Sequence, residues 1–172
     1  MSLDAIKELR EQTNCGIIDC KKALAEAKGD IEKAKALLRE KGLQMALKKA
    51  SRVAHEGRVE AYIHHGNKIG VIVEINCETD FVARNEAFIA FSKDLAMHIA
   101  AMSPKYVRKD DVPAAVLEAE ADKDAFIKAA VLLEQAFVKD ASKSIQDLLN
   151  ELVAKIGENI VVGRFVRYKV GE

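Results

Sequence analysis

Apolar positions recur along the chain with two periods, and the switches between them mark its organisation. From Ser2 to about Gln12, Leu3, Ile6 and Leu9 fall three apart, the spacing of one helical face. Thr13-Asn14-Cys15-Gly16 breaks the pattern. Ile17, Cys20 and Leu24 predict a second helix reaching Ala27. Lys28-Gly29-Asp30 stops that helix and starts another. Gly29 suits the left-handed residue after a helix, and Asp30 suits an N-cap. Ile31, Ala34, Leu37 and Leu38 predict a third helix ending near Lys41-Gly42. Leu43 to Glu56 carries Lys48, Lys49 and Arg52 without a clear period and reads as a partly helical linker with a solvated face.

At Gly57 the period becomes two. Val59, Ala61 and Ile63 alternate with Arg58, Glu60 and Tyr62, and a turn follows at His64-His65-Gly66-Asn67-Lys68. Ile69, Val71, Val73 and Ile75 then alternate in a second strand and are expected to face the core. Helical spacing returns at Glu86, with Phe88, Phe91, Leu95, Ile99 and Met102 on one face. Asn85 stands where that helix needs an N-cap, Ser103-Pro104 stops it, and His98 reads as a half-buried histidine near its apolar face. Val112 to Val138 reads as two helices, broken near Ala121-Asp122, in a hairpin or projecting arm; Pro113 suits a first helical turn. Ser144 and Asp147 make a capping box ahead of Leu148, Leu149, Leu152, Val153 and Ile156, and Gly157 closes that helix. Ile160 to Val170 is the last strand. The expected fold is α+β: a three-helix N-terminal domain (residues 1–43), a linker (44–56), and a core domain (57–172). In the core, a three-stranded antiparallel sheet is covered by helices on one face, leaving its other face or an edge free for association.

One connection does not fit the polar habit of loops. Glu78 to Arg84 joins the second strand to the helix at Glu86, yet Phe81 and Val82 stand between Asp80 and Arg84. Phe81 either folds back into the core, the commoner fate of a lone apolar residue at a loop base, or is displayed to a partner. Asp80 has a structural alternative as a cap or Asx-turn residue, although Asn85 already offers a cap. Thr79 has one as a strand-end turn residue and Val82 as a core contact.

Composition narrows the classes. At 172 residues the chain is one or two small domains, with 49% hydrophobic and 31% charged residues. Lys plus Arg, at 27, balances Asp plus Glu, which argues against a general nucleic-acid or membrane binder. No basic-then-apolar leader and no bilayer-length apolar run occur, so a cytoplasmic protein is expected. Three cysteines make no disulfide framework. Cys20 and Cys77 read as buried; Cys15 is left outside, where a thiol nucleophile stays open. His64 and His65 are neighbours on extended chain and point to opposite faces, so a solvated turn outweighs a metal site. No phosphate-binding glycine loop, nucleophile elbow or metalloprotease spacing occurs, and the carboxylates spread along helices beside Lys and Arg. The chain reads as a binding protein rather than an enzyme, without cofactor or metal.

Asn76-Cys77-Glu78-Thr79-Asp80-Phe81-Val82-Ala83-Arg84-Asn85 resembles the signature loop of the elongation factor Ts family. Thr13-Asn14-Cys15-Gly16-Ile17-Ile18-Asp19-Cys20-Lys21-Lys22-Ala23-Leu24 resembles the family's N-terminal signature, in the right order. The resemblance covers nearly the whole chain and is weakest from about Val107 to Val138. It implies a ubiquitin-associated-like fold for the three helices and guanine nucleotide exchange on elongation factor Tu. It favours display of Phe81, with Thr79, Asp80, Phe81 and Val82 acting on the Mg²⁺ and phosphate site of the GTPase. Ile17, Ile18, Lys21 and Lys49 would grip the GTP-binding domain. The chain departs from the commoner Thr-Gly-Ala-Gly-Met-Met at Asn14, Cys15, Ile17 and Ile18. Long members carry two related core halves, so a chain with one sheet is expected to pair as a homodimer. Neither membrane nor nucleic-acid binding is expected. The rival readings are a ubiquitin-associated-like adaptor without exchange activity and a ribosome- or RNA-associated module using Lys48, Lys49, Arg52 and Arg58.

Overall fold

A computed structural model of the chain describes residues 3–13 and 15–172. The expected helix start at Ser2, and Asn14 within the first break, lie outside the described residues. The chain divides into two compact units, Met1–Arg52 with Asn150–Asn159, and Val53–Leu149 with Ile160–Glu172.

In the first unit, α1 (Leu3–Thr13), α2 (Ile17–Glu26) and α3 (Ile31–Lys49) bury Leu9, Cys20, Ala23, Leu24, Ala27, Ala34 and Leu38 together. Leu3 and Ile17, expected on the inner faces, are exposed instead. Each stands in the first turn of its helix, and the buried stripe begins one turn later. The junction between α2 and α3 is a Schellman motif: Gly29 N–H donates to the Leu24 carbonyl and Lys28 N–H to that of Ala25. Both junction residues have positive φ, and Gly29 carries the larger, +87°. Asp30 caps α3 by accepting from Lys33 N–H at 3.1 Å. The third helix does not end at Gly42. It continues to Lys49, and a Cβ on Gly42 would lie 3.8 Å from the Ala154 Cβ and the Asn150 carbonyl oxygen. Packing against this segment overrides the glycine's helix penalty of about 1 kcal/mol.

The second unit begins with β1 (Glu56–Ile63) and β2 (Ile69–Cys77), then α4 (Asp80–Ala83) and α5 (Glu86–Met102). The short helices α6 (Ala114–Ala119) and α7 (Lys123–Ala130) precede a small hairpin, β3 (Ala136–Phe137) with β4 (Asp140–Ser144). Helix α8 (Ile145–Ile156) supplies residues to both units, and β5 (Ile160–Lys169) closes the sheet. Sheet order is β1-β2-β5, antiparallel throughout. The turn between β1 and β2 uses positive φ at Gly66 and Asn67. The Ser144–Asp147 capping box is present in reciprocal form, with bonds of 2.9 and 3.0 Å.

Val71, Val73, Ile75 and Cys77 of β2, with Ile160 and Val162 of β5, are buried on the face that receives Phe88, Phe91, Leu95 and Ile99 of α5. Met102, expected on that face, is exposed, because α5 has reached its left-handed cap at Ser103. His98 is fully buried rather than half-buried. Its Nε2 bonds Gln135 Oε1 at 2.9 Å, and its Nδ1 accepts from Val138 N–H at 3.3 Å, which sets a neutral ring protonated at Nε2. Val112 to Val138 holds the two expected helices, α6 and α7, with the break at Ala121-Asp122, but the second ends at Ala130: Val131, Leu132 and Leu133 are buried, and the chain turns into β3.

Strand β1 inverts the usual pattern. Val59 faces outward opposite Glu74, Ala61 opposite Ile72, and Ile63 opposite Gly70, while Arg58 and Glu60 point inward and pair at 2.6 Å. On β5, Val166 lies opposite Ile72 and Tyr168 opposite Gly70. The outer sheet face therefore carries exposed Val59, Ile63, Ile72, Val166 and Tyr168. Exposed apolar residues gathered on one face mark an interaction surface, unlike single scattered ones.

Candidate functional site

The strand-to-helix connection is an ordered corner rather than a loop. β2 ends at Cys77, whose side chain is wholly buried, and Thr79 is extended at φ −129°, ψ 153°. One helical turn, α4, follows. Ala83 N–H donates to the Thr79 carbonyl at 3.3 Å and Asn85 N–H to that of Val82 at 2.9 Å. Asn85 Oδ1 then accepts from Ala87 N–H at 2.9 Å and starts α5 as an N-cap.

Phe81 sits at the middle of this turn with 81% of its surface exposed. It does not fold back into the core. The reason is local: α4 has only four residues, and none of them is buried. Asp80 is neither a cap nor an Asx-turn residue, and pairs with Arg84 one turn on at 3.1 Å. Thr79 occupies the N-cap position without a side-chain cap bond. Val82 is half-buried beside Phe81. Thr79, Asp80, Phe81 and Val82 are thus consecutive on one hydrogen-bonded corner, with an aromatic ring in solvent flanked by a carboxylate.

In the other unit, Ile17 and Ile18 are 56% and 68% exposed at the start of α2. Lys21 is exposed one turn further, and the i,i+3 and i,i+4 spacing gathers the three on one side of the helix. Lys49 differs. Its Nζ donates to the Gly157 carbonyl beyond the end of α8, where a cation satisfies a terminal carbonyl. Its charge is already engaged within its own unit. The surface β1 contributes was not legible in the sequence, because its apolar set, Val59, Ala61 and Ile63, would ordinarily be the inward one.

Among the described residues, no three His, Cys, Asp or Glu side chains come together as a metal site. Tyr62 Oη and His64 Nδ1 are 3.0 Å apart in the exposed turn. Cys15 is half-buried rather than outside. Burial pushes its thiol up from the usual range, against a hydrogen bond from Thr13 that lowers it, so little of the reactive thiolate is present. Among the described residues, no helix is long and apolar enough to cross a membrane.

The profile of the family described as "Elongation factor TS" matches residues 5–124 and 122–172. Curated relatives named "Elongation factor Ts" include one from Thermoanaerobacter sp. (strain X514), 51% identical over all of this chain and 96% of its own length. Another, from Caldanaerobacter subterraneus subsp. tengcongensis, is 51% identical over all of this chain and 98% of its own. A third, from Geobacter metallireducens, is 52% identical over all of this chain and 91% of its own. With both signature stretches in order and likeness along its full length, the chain belongs to the elongation factor Ts family of translation elongation factors.

Proposed function

We propose that this chain is the guanine nucleotide exchange factor for elongation factor Tu, and that it works by binding rather than by covalent catalysis. The observation that carries this reading is Phe81, exposed on a turn whose backbone is hydrogen-bonded at both ends. A GTPase holds its nucleotide through backbone N–H groups on the phosphates and through Mg²⁺. To release GDP, a partner must bind the nucleotide-free form more tightly than the loaded one. Linkage is reciprocal, so the nucleotide weakens that partner by the same factor. A phenylalanine ring that finds a pocket only in the open form supplies such a difference. Asp80 beside it sets a negative charge against a site that holds Mg²⁺ and phosphate, while Thr79 and Val82 complete the contact.

Ile17, Ile18 and Lys21 supply the grip on the GTP-binding domain, and Lys49 supports it from within its own unit. No cofactor of the chain's own takes part, and the cytoplasm is the compartment in which such a factor acts. A second copy of the chain is the occupant of the outer sheet face. What supports this is the inversion of β1, which keeps an ion pair inward and sends Val59 and Ile63 outward, 65% and 62% exposed. A two-fold axis makes such a patch self-complementary.

The test is release of a fluorescent GDP analogue from elongation factor Tu, with and without the chain at micromolar concentration. Acceleration is expected. An unchanged release rate refutes exchange and leaves the adaptor reading. A fragment ending near Glu56 that retains full partner binding also favours the adaptor.

A further inference from the structure

α4 is a single turn without a fully buried side chain; Val82 and Ala83 are half-buried as it packs against β1 and β2, and the bonds at its two ends fix the rest of its placement. Its far end is secured by the Asn85 cap. At its near end a contact comes from the strand: Cys77 Sγ donates to the Thr79 carbonyl oxygen at 3.1 Å. That same carbonyl accepts from Ala83 N–H and so closes the turn that carries Phe81. Cys77 is fully buried and pairs with Glu56 of β1 on one side and Ile160 of β5 on the other. It is thus among the firmly placed side chains near the corner, belonging to the central strand at the point where the chain leaves the sheet.

We propose that Cys77 is a positioning residue for the displayed turn: its thiol, fixed by the sheet, holds the Thr79 carbonyl and thereby sets the direction in which α4 presents Phe81. The inference rests on the exchange reading for its functional consequence, but its structural half stands separately. A thiol suits the place. It fills an apolar position as a small hydrophobe, yet has one hydrogen to donate. The Thr79 carbonyl oxygen has two lone pairs, so it can take the thiol hydrogen beside the Ala83 N–H.

Packing and positioning predict opposite orders among three substitutions in the full chain. If Cys77 only fills space, Cys77→Val and Cys77→Ala retain exchange, and Cys77→Ser, which buries a hydroxyl, is worst. If the thiol positions the turn, Cys77→Ser keeps exchange close to native although it is the least stable to urea. Cys77→Ala and Cys77→Val then lose roughly three- to tenfold in the second-order rate of GDP release, the loss of about one modest hydrogen bond. The second readout is amide hydrogen exchange at Ala83, whose N–H bonds the Thr79 carbonyl. It should quicken in the Ala and Val variants and recover in the Ser variant. Native GDP release in Cys77→Ala, with unchanged protection at Ala83, overturns the proposal. Should the native chain itself fail to release GDP, the exchange reading falls. The amide readout alone then decides: recovery by serine upholds the positioning role, and equal protection in all variants refutes it.

Discussion

Truncating Phe81 separates the fold from the function. The ring is 81% exposed, so Phe81→Ala should change the stability of the free chain by less than about 0.5 kcal/mol. α4 should survive, because its backbone bonds and the Asn85 cap do not involve the ring. In the complex the same ring has most of its surface left to bury, which contributes about 1.5–3 kcal/mol. At about 1.4 kcal/mol per factor of ten, the loss is roughly ten- to a hundredfold, provided the contact forms with the nucleotide-free GTPase and not with the loaded one. The loss should appear in the rate of GDP release at saturating chain as well as at low concentration. Stopped-flow release of a fluorescent GDP analogue measures it, beside urea unfolding of the same preparation. A Phe81→Leu variant should fall between the two. A folded Phe81→Ala chain that accelerates release as well as the native one refutes the wedge, and the exchange surface would then lie elsewhere.

Three further outcomes test other parts of the argument. Ile72→Lys places a charge on the outer sheet face at a half-exposed position, so the chain should fold while dimer affinity falls by at least about tenfold; analytical ultracentrifugation that shows a native mass for the variant at low concentration removes this face as the dimer contact. Gly57 has φ +151°, and a Cβ there would lie 2.2 Å from the Ile75 carbonyl oxygen, so Gly57→Ala should cost roughly 2–4 kcal/mol in urea unfolding; a loss under about 0.5 kcal/mol contradicts the close approach of β1 to β2. For His98, burial lowers the folded pKa against the opposing Gln135 hydrogen bond, so the unfolded chain binds the proton more readily. Its neutral contacts are therefore fully effective above about pH 6.5 and are lost as pH falls from there through the lower folded value. The fall in urea midpoint on acidification should be shallower in His98→Gln, and equal slopes would discount this ring as the source.

α1 to α3, β1, β2, α5, α8 and β5 follow in order from the sequence because they depend on local causes, whereas α4 and the β3–β4 hairpin do not. Asn85, Asp30 and the Ser144–Asp147 pair are caps within a few residues of what they cap, and the apolar spacing of α5 and β2 is written along each element. The two signature stretches likewise identify the family without any fold. What depended on distant partners was not legible. Gly42 reads as a stop, and only the segment Asn150–Asn159 packed beside it explains why α3 continues. Val131 to Leu133 reads as helix, but the contact between His98 and Gln135, thirty-seven residues apart, belongs to a buried turn leading into β3. Alternation usually turns the apolar set of β1, Val59, Ala61 and Ile63, inward, and the register with β2 turns Val59 and Ile63 out instead. Phe81 had two physically reasonable places. An apolar residue beside a core is drawn inward when the backbone can turn it there, and the hydrogen-bonded corner from Cys77 to Asn85 turns it outward instead.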